Sequence, residues 1–231
     1  MQQTRTEHLW LLLKPVLARL TLAILFAIGA MFIFVLVAHE VAEGATRQFD
    51  AAAIHYFQAY HYSPMHAVMT DVSWMAGKYG MPLTVTLCLV GLSLTHRFWP
   101  DGVALLFASV AGLALIVLLK ALFHRPRPLE VFANLGYSFP SGHSFFSLTI
   151  YGMMAYWLTR DAPRNRQLVI WSLAVFAILL VGFSRVFVTE HFPSDVIAGY
   201  AVGIPWLWGC LALPTIFHRE EKRQALSREE R

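Results

Sequence analysis

The chain has 231 residues, of which 57% are hydrophobic and only 14% are charged. A soluble domain usually carries about a quarter charged residues, so this composition excludes an ordinary water-soluble protein and indicates a protein of the lipid bilayer. The net charge of +4 does not indicate a nucleic-acid partner, because the basic residues lie at the ends of apolar segments, where they set membrane topology.

Six long apolar runs predict an all-α, polytopic membrane protein with one membrane-embedded domain over residues 1–231. A helix that crosses the hydrocarbon core needs roughly 17 to 25 apolar residues. The predicted spans are 20–38, 79–95, 102–119, 144–159, 168–184 and 196–217. The first run also has features of a signal peptide, but it exceeds the usual apolar core of about 7 to 15 residues, and we therefore keep it as a span.

Residues 40–78 lie between the first two predicted spans and are too polar to cross the membrane. Within them Met65, Val68, Met69 and Val72 recur at helical spacing, which predicts an amphipathic helix at the membrane interface. The segment is interpreted either as a covering loop or as a lid that admits lipid, and the pattern leaves both interpretations open.

Membrane orientation is predicted from the basic residues, because Lys and Arg in short loops stay on the cytoplasmic side. An even number of spans places both termini together, here in the cytoplasm. Every Lys and Arg then lies on the cytoplasmic side except Arg47, Lys78, Lys120, Arg125, Arg127 and Arg185. The last four are crowded into two loops on the opposite face, which indicates a bound anion there.

The first polar cluster follows the third predicted span. Pro126 and Pro128 disfavour helix in the residues before them, so the helix is expected to stop here, with Lys120 in its last turn and Arg127 on an extended segment. A guanidinium fork and an ammonium point charge together suit a phosphate group. Snorkelling of both side chains to lipid headgroups is the alternative interpretation.

The second polar cluster opens the fourth predicted span with Pro140, Ser141, Gly142 and His143. Unpaired amides at a helix N-terminus bind anions, and a glycine lets the backbone approach an oxyanion closely. A histidine at this position is suited to protonating a leaving alkoxide. The alternative is a simple helix cap with an interfacial histidine.

The third polar cluster joins the last two predicted spans and contains Arg185, His191 and Asp195. The spacing of four brings His191 and Asp195 within reach of each other at a helix start. A carboxylate that holds the proton of one ring nitrogen leaves the other nitrogen free as a nucleophile. Alternatively, Asp195 only caps the helix.

Together these motifs resemble the type 2 phosphatidic acid phosphatase superfamily in residue type, order and spacing. The resemblance implies His191 as the nucleophile, Asp195 as its orienting partner and His143 as the general acid. It implies a phosphate cradle formed by Lys120, Arg127, Ser141, Gly142 and Arg185, without metal or other cofactor. The resemblance to bacterial members of the superfamily implies a protein of the bacterial inner membrane, and the predicted topology places this site on the face toward the periplasm or the cell exterior.

The resemblance further implies a lipid phosphate as substrate, namely undecaprenyl diphosphate, phosphatidylglycerol phosphate or phosphatidic acid. The motifs account for binding of the phosphate group but not of the lipid, so the sequence does not distinguish among these three substrates. It does not give the oligomeric state either. Transfer of phosphate to an acceptor hydroxyl remains an alternative within the superfamily, and lipid or ion transport is an alternative outside it. Arg125 and Glu190 lie inside the motifs, and the sequence leaves open whether each belongs to the site or lies at the protein surface.

Overall fold

The computed structural model describes residues 2–95 and 98–229, and all regular elements within these ranges are helical. Arg97 and Arg231, which the topology prediction assigns to the cytoplasmic side, lie outside these ranges. The α-helices are α1 (Gln2–Glu43), α2 (Arg47–Gln58), α3 (Pro64–Met75), α4 (Gly80–Ser93), α5 (Phe98–Phe123), α6 (Gly142–Phe146), α7 (Gly152–Thr159), α8 (Arg164–Phe187) and α9 (Pro193–Glu229). A 3-10 helix (Glu130–Leu135) precedes α6, and a π-helical segment (Ser147–Tyr151) joins α6 to α7.

Four helical segments are long and apolar enough to cross a bilayer. They correspond to the first, third, fifth and sixth predicted spans and have the bounds Thr21–Glu43, Trp99–Phe123, Arg164–Phe187 and Pro193–Pro214. Large apolar side chains such as Phe32, Leu118 and Phe176 are exposed on three of them. Such extensive apolar surface requires lipid contact, and the protein is an integral membrane protein.

The predicted total of six spans is not confirmed. The second predicted span falls on α4, whose 14 residues extend only about 21 Å, less than the roughly 30 Å hydrocarbon core. α3 and α4 form a pair bent by 45° that together reach the length of one span. The fourth predicted span is divided among α6, the π-helical segment and α7. Within the described ranges there are therefore four candidate spans, or five if the bent pair counts as one.

The segment from α6 to α7 forms the centre of the bundle. Phe145, Ile150 and Met153 are fully buried in its core, and the segment packs against α8 and α9. The hydroxyls of Ser147 and Thr149 donate hydrogen bonds to backbone carbonyls of the preceding turn. This stretch is apolar because it is surrounded by protein, a burial that hydropathy alone does not distinguish from lipid contact.

A close approach of two helices fixes the geometry at one end of the bundle. A Cβ atom on Gly199 of α9 would lie 2.5 Å from the Ser141 carbonyl oxygen, so only glycine allows α9 to pass this close to the start of α6. The Ser141 amide donates to the Asp195 carbonyl across the same junction at 2.9 Å. The starts of α6 and α9 are thereby held together.

Candidate active site

The eight predicted site residues lie at this one end of the bundle, although they come from four different parts of the chain. Lys120 is in the last turn of α5 and Arg127 is in the segment that follows it. Arg185 is in the last turn of α8. The remaining five lie at or just before the starts of α6 and α9, namely Ser141, Gly142, His143, His191 and Asp195.

His191 and Asp195 are both buried and adjacent. His191 Nδ1 lies 3.4 Å from Asp195 Oδ2, and the same oxygen accepts the Phe192 amide at 2.9 Å. His191 Nε2 lies 3.5 Å from a guanidinium nitrogen of Arg127. One ring nitrogen thus faces a carboxylate, while the other faces the cations of the site.

The environment of His191 favours its neutral form. Burial and then the charges of Lys120, Arg185 and Arg127 hold the pKa of His191 well below its usual value of 6.5, and a hydrogen bond with the Ser138 backbone opposes them weakly. Burial disfavours a charged imidazole, and neighbouring cations disfavour it further. The unprotonated Nε2 is therefore available at neutral and mildly acidic pH.

Backbone carbonyls hold two of the cations in place. Lys120 Nζ donates to the carbonyls of Tyr137 and Ser138 at 2.5 and 3.0 Å. Arg127 donates to the carbonyls of Gly136 and Glu190, both at 3.0 Å. Neutral carbonyl acceptors leave Lys120 its net positive charge for an anionic ligand, whereas Arg127 also lies near the carboxylate of Glu190.

Arg185 is almost fully buried and pairs with the carboxylate of Glu190. The same Glu190 oxygen lies 3.6 Å from Arg127 NH1, so the carboxylate stands between two of the predicted phosphate-binding cations. The Nε atom of Arg185 is buried without a hydrogen-bond partner, as expected for a donor awaiting a ligand. Glu190 belongs to the site, which resolves one of the two assignments that the sequence left open.

The start of α6 borders the site beside His191 and the cations. Ser141 is the buried N-cap of the helix, and its Oγ accepts from the Ser144 amide at 3.4 Å. The ring centroids of His143 and His191 are 6.4 Å apart, so both imidazoles can reach a single phosphoryl group. A Cβ atom on Gly77 would lie 3.3 Å from His143 Nε2, which places the loop between α3 and α4 directly against this histidine.

Arg125 and Asp50 form an ion pair that connects α2 to the site. Arg125 NH2 lies 2.7 Å from Asp50 Oδ2, and Arg125 NH1 lies 2.6 Å from Asp195 Oδ1. Asp50 also accepts the amide and the hydroxyl of Ser194, at 3.2 and 2.7 Å. Arg125 therefore belongs to the site, and sequence reasoning missed Asp50 because nothing around it in the chain marks a site.

The arrangement presents cations and helix-start amides to an anion, with two imidazoles beside it. Phosphoryl transfer requires charge stabilisation on the equatorial oxygens and in-line placement of the attacking and leaving atoms. Within residues 2–95 and 98–229, no three His, Cys, Asp or Glu side chains are grouped as metal ligands. The cations, the helix-start amides and the two imidazoles can together bind a phosphate ester and bring a histidine against its phosphorus.

Comparison with known proteins finds sequence similarity over more than half of the chain. Residues 101–219 match the model of the PAP2 superfamily. The chain is 31% identical over 146 residues to phosphatidylglycerophosphatase B of Bacillus subtilis, an alignment that covers 61% of this chain and 70% of that protein. It is 30% identical over 149 residues to an undecaprenyl-diphosphatase of Sulfolobus acidocaldarius, covering 59% of this chain and 66% of that one.

A solved structure shows the same fold. The transmembrane PAP2-type phosphatidylglycerolphosphate phosphatase of Bacillus subtilis superimposes with a TM-score of 0.75 at 23% identity, over 81% of this chain and 94% of that one. At this identity the likeness concerns the fold alone.

Proposed function

Because this chain belongs to the PAP2 superfamily, we propose that it removes phosphate from a membrane lipid through a phosphohistidine formed on His191. Membership makes it a relative of phosphatases that act on lipid phosphates. Beyond family membership, we propose a covalent phosphohistidine intermediate, a role for each site residue, and catalysis that requires no metal ion.

In the first step, His191 Nε2 forms a bond to phosphorus while the bond from phosphorus to the lipid oxygen breaks. Asp195 holds the proton on Nδ1 and stabilises the positive charge that develops on the ring. Lys120, Arg127, Arg185 and the amides at the start of α6 hold the equatorial oxygens. Burial and the nearby cations hold the pKa of His143 well below 6.5, and the negative charge of the bound phosphate offsets them, so that His143 enters this step protonated. It donates that proton to the departing lipid oxygen.

In the second step, water attacks the phosphohistidine and gives a proton to His143 as the new bond to phosphorus forms. The bond between phosphorus and Nε2 breaks, which releases inorganic phosphate and restores neutral His191. Each step uses His143 once, as acid and then as base, so the enzyme returns to its starting state. No step calls for a metal ion, because the three cations supply the positive charge.

One observation carries this proposal: His191 is oriented by Asp195 on one side and faces Arg127 and His143 on the other. The test is His191→Ala in detergent-purified protein, with rapid quenching after addition of radiolabelled lipid phosphate. We expect loss of turnover and of acid-labile protein labelling, with both retained in the exposed control His55→Ala. Substantial turnover in His191→Ala would show that another group is the nucleophile.

The substrate is proposed at the level of a class, a lipid phosphomonoester or diphosphate. The similar proteins are named for phosphatidylglycerol phosphate and for undecaprenyl diphosphate, which makes these two, together with phosphatidic acid, the panel to test. The preferred lipid will be the one with the highest kcat/KM. Phosphate release from none of the three would contradict the proposal and favour transport or transfer to an acceptor.

We also propose that the active site faces away from the cytoplasm and that both termini lie inside. The distribution of Lys and Arg over the loops supports this orientation. Single cysteines placed in the 3-10 helix at Glu130 and in the loop at Asp161 would report the two sides, in a background without Cys88 and Cys210. In intact cells an impermeant maleimide is expected to label position 130 and not 161, and the reverse pattern would invert the topology.

A further inference from the structure

The ion pair between Asp50 and Arg125 lies outside the proposed phosphate cradle, yet it contacts the proposed catalytic residues through Asp195. Asp50 is in the first turn of α2, within the segment for which the sequence suggested only a cover or a lid. Its side chain is 1% exposed. A buried carboxylate is costly unless it is paired and hydrogen-bonded, so the partners of Asp50 determine what it does.

All the partners of Asp50 described above belong to the site end of the bundle. Ser194, whose amide and hydroxyl it binds, is in the first turn of α9. The amides of a first helical turn lack intrahelical acceptors, so Asp50 caps α9 from a different helix and complements its dipole. α2 is thereby attached to the turn that carries Asp195.

Arg125 connects the two carboxylates in a defined geometry. Its NH2 binds Asp50, and its NH1 binds both Asp195 Oδ1 and, at 2.7 Å, the Ser194 hydroxyl oxygen. The guanidinium also lies over the ring of Phe192, 4.2 Å from the ring centroid. A planar fork fixed at three points has little freedom to rotate, whereas a lysine at this position would offer only a point charge.

The consequence for Asp195 concerns orientation. Its Oδ1 is held by Arg125, and its Oδ2 is held by the Phe192 amide while facing His191. If Oδ1 is released, the carboxylate can rotate and its alignment with His191 Nδ1 is lost. We infer that Asp50 and Arg125 are positioning residues that hold Asp195 in the orientation His191 requires. Through them, α2 is part of the catalytic framework.

This inference rests on the proposed role of His191, and Asp50→Asn is its principal test. The change keeps the size of the side chain and one acceptor oxygen but removes the charge that anchors Arg125. Because the phosphate is not touched, we expect kcat to fall about tenfold or more, with KM changed less than about twofold. The labelling rate in a single turnover is expected to fall with kcat.

The chain offers a matched control in Asp101→Asn. Asp101 is also buried, also lies in the first turn of a helix, and pairs with Arg160 at 2.7 Å. It is near the beginning of α5, roughly 28 Å along that helix from Lys120. We expect Asp101→Asn to lower the Tm as much as Asp50→Asn does while leaving kcat within about twofold of the native value.

A double-mutant cycle tests whether Asp50 and Arg125 act as one unit. The double variant Asp50→Asn/Arg125→Gln is expected to have the same kcat as Arg125→Gln alone. Arg125→Lys is expected to have a kcat as low as that of Arg125→Gln, because a lysine cannot contact both carboxylates at once. Equal loss of kcat in Asp50→Asn and Asp101→Asn, or an effect on KM alone, would overturn the inference and leave the proposed function intact. Full activity in His191→Ala measured alongside would instead overturn the proposed function, and the inference with it.

Discussion

The carboxylate of Glu190 is paired with the guanidinium of Arg185 inside the cradle proposed for phosphate. It also lies 3.6 Å from Arg127 NH1, so one carboxylate oxygen stands between two cations that a phosphate would need. Glu190 therefore neutralises part of the charge of the site. A bound anion must share these cations with the carboxylate.

Glu190→Gln is therefore expected to strengthen the binding of product-like anions. Removing the carboxylate frees charge on Arg185 and Arg127, and at such distances even a screened charge is worth about 1.4 kcal/mol or more, equivalent to tenfold. The inhibition constant for orthovanadate or inorganic phosphate should fall by about that factor. Glu130→Gln, the same change at an exposed position in the 3-10 helix, is the control and is expected to have no effect. Weaker vanadate binding in Glu190→Gln would mean that Glu190 mainly positions Arg185.

The pH dependence of activity follows from the environment of His191. Its pKa is held well below 6.5, so the neutral form that attacks phosphorus persists as the pH falls below that value, and the acid limb of kcat/KM from this group lies lower still. Among the neighbouring charges, Lys120 contributes most to the lowering. In Lys120→Met the pKa of His191 should rise and the acid limb should move to higher pH.

The measurement is the ratio of the variant and native kcat/KM profiles between about pH 4 and 8, which cancels the titration of the substrate itself. Lys78→Met removes the same charge from an exposed side chain in the loop between α3 and α4. Lys78 is not among the charges that lower the pKa of His191, so this variant is expected to leave the profile unchanged. An unshifted acid limb in Lys120→Met would contradict the assigned electrostatic coupling.

The junction between α6 and α9 is expected to tolerate no side chain at Gly199. Its Cβ would lie 2.5 Å from the Ser141 carbonyl, a backbone atom that cannot move without displacing the start of α6. We expect Gly199→Ala to destabilise the protein by about 1 to 3 kcal/mol and to lower kcat. Gly203→Ala, one turn later, meets the flexible end of the Leu148 side chain at 2.9 Å and the Phe145 carbonyl at 3.5 Å, an ordinary contact, and should cost less. Similar thermal unfolding of the two variants would contradict this difference.

Chelation and vanadate test the proposed source of positive charge. Three cations replace a metal in the proposed mechanism, so turnover should survive dialysis against EDTA. Vanadate, which adopts five-coordinate geometry, should inhibit as a transition-state analogue. Loss of turnover in EDTA that Mg²⁺ or Zn²⁺ restores would contradict the metal-free mechanism.

The proposed phosphate site was predictable from the sequence because its residues are concentrated in three short motifs. His143 follows Gly142, His191 lies two residues before Pro193, and Lys120 ends an apolar run six residues before Pro126. These patterns indicate helix ends that carry polar side chains. Such local signals reveal residue types and spacing, and they were sufficient to bring the eight residues into one predicted site.

The remaining features depend on contacts between distant parts of the chain. Asp50 binds Arg125, which lies 75 positions later, and no local pattern indicates this pairing. The predicted total of six spans is not confirmed for a related reason. By hydropathy, both α4 and the stretch from α6 to α7 are apolar. Hydropathy does not show that α4 is short, or that the stretch from α6 to α7 is buried in protein.

The π-helical segment Ser147–Tyr151 has a consequence for insertions and deletions. Such a segment accommodates one more residue per turn than α-helical winding, and each residue of an α-helix turns the chain by about 100°. Deleting one residue here would therefore leave a regular α-helical turn and keep α7 in nearly its present rotation relative to His143. Met153 would stay in the core, and Gly152 would stay against Leu207. Deleting one residue from α6 after His143 would instead rotate α7 by about 100° and remove both residues from these contacts. The π-helical segment therefore allows the loss of one residue without changing the rotation of the active-site end of the bundle relative to the core.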